Sequence, residues 1–107
     1  MLTIKKKVFL SGPFCNQDKE WLEYRFAAAQ QLLEAKGFEV FNHVDTSWQC
    51  ISDSGIDIED CPHCFENRMI ALIGSEEVHM MQGWQLCKEA TRDRNVALTL
   101  EIPVFYL

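Results

Sequence analysis

Residues 4–42 carry the pattern that most restricts the fold: an apolar run, a helix-spaced stretch, then a second apolar run. The first run, IKKKVFL at residues 4–10, ends in β-branched and aromatic side chains and stops at Ser11-Gly12-Pro13. It reads as a buried strand followed by a turn. From Asp18 to Lys36 the spacing becomes helical, with Leu22, Phe26, Ala29 and Leu33 on one stripe and Glu23, Gln30 and Glu34 off it. Gly37 closes that helix, and FEVFN, residues 38–42, reads as a second short strand. A strand, a helix and a strand in this span form a βαβ unit, whose crossover pairs the strands in parallel.

The remaining segments extend the same plan. Residues 43–60 are polar and irregular around a lone Trp48, and predict a long loop. Pro62 opens a helix that runs to Ile73. Glu77 to Met81 is a third strand, Gly83-Trp84 turns the chain into a final helix from Leu86 to Leu100, and Ile102 to Tyr106 is the last strand. The order predicts one α/β domain over residues 1–107, a Rossmann-like three-layer sandwich. Its four-stranded parallel sheet is covered by helices on both faces.

Composition narrows the function classes. Apolar residues make up 48% and charged residues 24%, the balance of a chain with a single packed core. A formal net charge of -6 argues against a polynucleotide partner, since phosphate backbones are held by Lys and Arg. Backbone amides can still hold a small anion, so acidity leaves a nucleotide open. No apolar run approaches membrane-spanning length, and Lys5, Lys6 and Lys7 precede only a short run, the exposed start of a strand. The expected setting is cytoplasmic, with no membrane partner. Five cysteines (Cys15, Cys50, Cys61, Cys64 and Cys87) are odd in number and irregular in spacing, which without an export signal predicts reduced thiols.

Open parallel sheets bind ligands outside the carboxyl ends of their strands. Three segments converge there: Ser11-Gly12-Pro13-Phe14 after the first strand, Asn42-His43 after the second, and Gln82-Gly83-Trp84 after the third. Gly12 lets the backbone approach a ligand, Ser11 offers a hydroxyl, and the helix after Trp84 presents unpaired amides to an anion. Trp84 can stack on a base, while Trp21 and Trp48 read as packing residues. His43 reads as a ligand contact and His79, inside a strand, as structural.

Asp93 stands out. On the last helix Leu86, Ala90, Asp93, Ala97 and Leu100 share a face, so an acid lies on an otherwise apolar stripe. No base three or four residues away pairs with it, whereas Glu89 has Arg92. An inward carboxylate without a local cation marks either a site or a long-range partner, Arg25 or Arg68.

The segments KVFLSGPF, RFAAAQQLLEAKGFEVFN, the strand leading to GW, and the alanine-containing helix ending in IPV make the chain resemble a known superfamily. It is similar to a small phage and bacterial branch of the nucleoside 2-deoxyribosyltransferase-like proteins, over nearly its whole length. The resemblance implies a flavodoxin-like fold, a tendency to form homo-oligomers, and N-glycosidase or deoxyribosyltransferase chemistry on a deoxynucleoside or its monophosphate. No cofactor and no metal are called for. In the family a glutamate four residues before a helix alanine attacks the anomeric carbon, as in retaining glycosidases. By position that role falls to Asp93, four residues before Ala97, and Asp is one methylene shorter. Cys87 and Glu89 stand near the family's Ser and Gly positions. Arg68 stands where an aspartate assists the leaving base, and Glu76 or Glu77 where a further acid is expected.

Cys61-Pro62-His63-Cys64 carries a competing reading. Two-residue spacing permits a disulfide, and a helix start beside an imidazole favours thiolate. Asp57, Glu59 and Asp60 oppose this by raising the thiol pKa, and no strand precedes the motif. A zinc site would have to borrow Cys50, Cys87, His43 or His79. The leading expectation is therefore a nucleoside- or nucleotide-binding N-glycosidase or 2-deoxyribosyltransferase using Asp93; the alternatives are a catalytically silent nucleotide-binding module and, after it, a thiol–disulfide protein using Cys61 and Cys64.

Overall fold

The computed structural model describes residues 5–13, 18–42 and 62–107. Within them lie four strands: β1 (Lys7–Ser11), β2 (Glu39–Asn42), β3 (Glu77–Met80) and β4 (Val104–Tyr106). Three α-helices accompany them: α1 (Lys19–Ala35), α2 (Pro62–Ile73) and α3 (Lys88–Thr99). The strands form one all-parallel sheet in the order β2-β1-β3-β4. Val8 lies beside Val40 on one side and Glu77 on the other, and Met80 lies beside Tyr106. Chain order therefore reverses at β1, which sits in the middle. The β1-to-β2 crossover runs one way and the next two run the other. Right-handed connections accordingly put α1 on one face and α2 and α3 on the opposite face. This is the predicted Rossmann-like, flavodoxin-like arrangement.

The local chemistry explains these elements. Asp18 caps α1, accepting a hydrogen bond from the Trp21 amide at 3.4 Å. From α1, Leu22, Phe26 and Leu33 are buried, as their spacing predicts, and the helix stops at Lys36-Gly37. They share the core with Phe9 and Leu10 of β1, Leu72 of α2, and Val78 and Met80 of β3. Phe9 stacks on Phe41 across the sheet, with centroids 5.7 Å apart.

Four details depart from the sequence reading. Strand β1 begins at Lys7 and runs through Ser11, so Ser11 belongs to the ladder rather than to the turn. The last helix begins at Lys88, because Trp84–Leu86 forms a separate 3-10 turn. Leu86 and Leu100, at 89% and 47% exposure, consequently leave the buried stripe, which keeps Ala90, Asp93 and Ala97. Trp21 is also 41% exposed, with the Arg25 guanidinium 4.7 Å from its ring centre. Among the described residues no helix is long and apolar enough to cross a membrane.

Candidate functional site

Ser11, the last residue of β1, points toward the α2–α3 layer and donates its hydroxyl to Asp93 Oδ2 at 2.8 Å. The other oxygen, Oδ1, accepts from Arg68 Nε at 3.1 Å. Asp93 is fully buried and Arg68 nearly so. Arg68 also reaches Glu89 at 3.4 Å, and Arg92 reaches the same carboxylate at 3.2 Å. A chain of charge thus runs from the interior to the surface, with Arg92 the most exposed member. Phe65 lies beside it, with the Arg68 and Arg92 guanidiniums 5.6 and 5.0 Å from its ring.

The electrostatics follow from burial. Loss of hydration pushes the Asp93 carboxyl up to about 6, although Arg68 and the Ser11 hydroxyl pull it down. Glu89 adds a like charge that also raises it. Asp93 therefore changes protonation close to neutrality at the carboxyl end of β1, next to the point where strand order reverses. Of the two long-range cations that spacing left open, the structure selects Arg68. Arg25 instead donates to the Gln82 carbonyl at 3.3 Å.

The turns at this edge are packed against one another. A Cβ on Gly12 would lie 2.8 Å from Met81 Cβ, so packing against Met81 requires a glycine there. Gly83 adopts φ +92°, a conformation that favours glycine, and a Cβ there would sit 3.4 Å from Pro13. Beyond Gly83 the edge opens again. A cleft of about 330 Å3 is lined by Met80, Gln82, Gly83, Trp84, Gln85, Tyr106 and Leu107.

The expected site residues accordingly separate into groups. Ser11 and Asp93 are bonded to each other, while Gly83 and Trp84 line the cleft. Gly12 and Pro13 are buried between the turns. Asn42 is buried at the end of β2, where its side-chain amide donates to Gln30 at 3.1 Å. Phe14 and His43 lie outside the described residues, as do Cys61 and the side chains of Pro62, His63 and Cys64. Cys87, buried at the start of α3, is disulfide-bonded, contrary to the expectation of reduced thiols. Among the described residues no group of three or more His, Cys, Asp or Glu could hold a metal ion.

Two acids fall elsewhere. Glu77 opens β3 at the amino edge of the sheet, bonded to Lys6 at 2.8 Å and to His79 at 2.9 Å. Burial raises its pKa, but the bonds from Lys6 and His79 outweigh that and hold it below the ordinary value. Glu76 accepts from the Lys7 amide at that same edge. His79 is packed between Phe38 and Phe105, in keeping with a structural role. The residue that sequence reasoning missed is Glu89 as a partner of Arg68. Helical spacing showed only its neighbour Arg92.

In comparison with known families, residues 6–106 fit the sequence model of a family described as a domain of unknown function, DUF4406. No curated protein matches the chain.

Proposed function

The chain belongs to the DUF4406 family of domains of unknown function, so its activity has to be read from its own site, and we propose that it binds a nucleoside or nucleotide at the carboxyl edge of its sheet. One observation carries the reading. The buried Asp93 is joined to Ser11 at the end of β1 and, through Arg68, to Glu89 at the surface. Its pairing with Arg68 accounts for the burial, and its place beside the carboxyl end of β1, where open parallel sheets take ligands, supports the reading. The order of SGP, GFEVFN and GW along the chain, similar to that of nucleoside 2-deoxyribosyltransferase-like proteins, supports the ligand class.

Binding fits this arrangement better than bond cleavage by Asp93. Both of its oxygens are engaged and none of its surface is exposed. To attack an anomeric carbon it would have to release Ser11 or Arg68 and reach outward with a side chain about 1.5 Å shorter than a glutamate's. A misplacement of about 1 Å can cost on the order of a hundredfold in rate. The raised pKa counts against cleavage too, since Asp93 must be ionised to attack and holds its proton up to about pH 6.

Calorimetric titration with deoxynucleosides and their 5′-monophosphates, with chromatography of the same mixtures for free base, separates these readings. Saturable binding without base release is expected. No heat with any member of the panel would end the nucleotide reading. Base release that disappears in Asp93→Ala would replace binding with catalysis.

A further inference from the structure

The cleft at the carboxyl ends of β3 and β4 has walls of a different kind from the Asp93 cluster. Trp84 and Tyr106 face each other with ring centroids 5.8 Å apart and planes 34° apart. Arg94, the residue after Asp93 on α3, donates from Nε to the Tyr106 hydroxyl at 2.7 Å and places its guanidinium 5.0 Å from the Trp84 ring. Two aromatic rings and a cation are thus locked together, while Tyr106 keeps about half of its surface exposed. Gln82 and Gln85 are exposed and line the same cleft.

The backbone beneath these side chains is fixed. The Leu107 amide donates to the Met80 carbonyl at 2.9 Å, continuing the β3–β4 ladder under the cleft. The Trp84 amide donates to Met81 and the Leu86 amide to Gly83, which holds the 3-10 turn. From the opposite face Arg25 holds the Gln82 carbonyl. A volume of about 330 Å3 falls at the small end of ligand pockets, which run from about 300 to 1,000 Å3.

We infer that this cleft is a ring pocket: it takes a nucleobase, stacked on the Trp84–Tyr106 pair and bonded along its edge by the Gln82 and Gln85 amides. This rests on the nucleotide reading and deepens it by naming the part of the ligand that is recognised. Every base has a π-face, so aromatic walls recognise the class. Primary amides both donate and accept, so they match the mixed edge of a base. The guanidinium of Arg94 adds a polarising charge to the ring wall. Asp93 and Arg94 leave adjacent positions in the middle of one helix, so the ring pocket and the Ser11–Asp93 cluster lie on two sides of that helix.

The test compares three probes on the intact protein: deoxyadenosine 5′-monophosphate, deoxyuridine 5′-monophosphate and 2-deoxyribose 5-phosphate. The deoxynucleotides are expected to bind at least about tenfold more tightly than the sugar phosphate, the worth of one stacked base. That advantage should be lost in Trp84→Leu. It should also be lost in the double variant Gln82→Ala/Gln85→Ala, whose exposed side chains leave folding undisturbed. Equal affinity for all three probes would overturn the ring pocket and leave a sugar-phosphate site standing. An advantage that survives in both variants would place the base elsewhere. No binding of any probe would remove the nucleotide reading along with the pocket.

Discussion

A buried carboxylate is tolerable only when each oxygen is satisfied, and Asp93 meets that condition with Ser11 on one side and Arg68 on the other. Asp93→Ala takes the nearer carboxylate from the buried Arg68, which keeps Glu89 at 3.4 Å, and should lower stability by about 1–3 kcal/mol in urea denaturation, whereas Arg68→Met/Asp93→Leu should recover most of the loss. The pH response has a definite sign. The folded carboxyl holds its proton up to about pH 6, against an ordinary value of 3.8. The folded state therefore binds more protons between those values, and this contribution is fully present below about pH 4 and lost as pH rises through 6. Glu77, whose pKa is lowered, contributes with the opposite sign, losing its stabilisation as pH falls. Denaturation of the parent and of Asp93→Asn across pH 4–7 should separate the two, with a difference on the order of 3 kcal/mol over that range. A difference independent of pH would contradict the assignment. That Asp93 faces inward was legible from Ala90 and Ala97 on the same stripe. Its partner was left open between two arginines, because Arg68 sits 25 residues earlier on another helix and no local spacing encodes the choice.

Among the elements, the turns after β1 and β3 decide what the carboxyl edge can hold. Gly12→Ala would press a methyl against Met81 Cβ, which is fixed by its own backbone, so overpacking by about 1–3 kcal/mol is expected. Gly83→Ala meets less steric opposition but forces a side chain onto φ +92°, also a cost of about 1–3 kcal/mol. Thermal denaturation of the two variants checks both values. A neutral Gly12→Ala would mean that Met81 yields, and that the turn is looser than its contacts indicate. The βαβ unit was legible because hydrophobic period and the helix stop agree across residues 7–42. The start of the last helix was not, since a 3-10 turn at Trp84–Leu86 continues an apolar pattern without continuing helical geometry. Leu86 was therefore expected inside and stands in solvent. Gly12, marked by the sequence for ligand approach, owes its missing side chain at least to the contact with Met81.

Across the whole molecule, strand order and crossover hand bring β1 and β3 together at the centre of the sheet, with helices leaving to opposite faces. This arrangement sets Ser11, Asp93 and the Trp84–Tyr106 cleft along one edge, and Lys6, Glu77 and His79 toward the other. A net charge of -6 disfavours nonspecific phosphate binding, so an anionic ligand that binds must find a built site. Amide chemical shifts of 15N-labelled protein, followed during titration with a deoxynucleoside 5′-monophosphate, test this division most directly. The account predicts saturable shifts clustered at Ser11, Gln82, Gly83, Trp84 and Glu89, with Lys6 and Glu77 unmoved. Shifts confined to the Lys6–Glu77 edge, or none at saturating ligand, would contradict it.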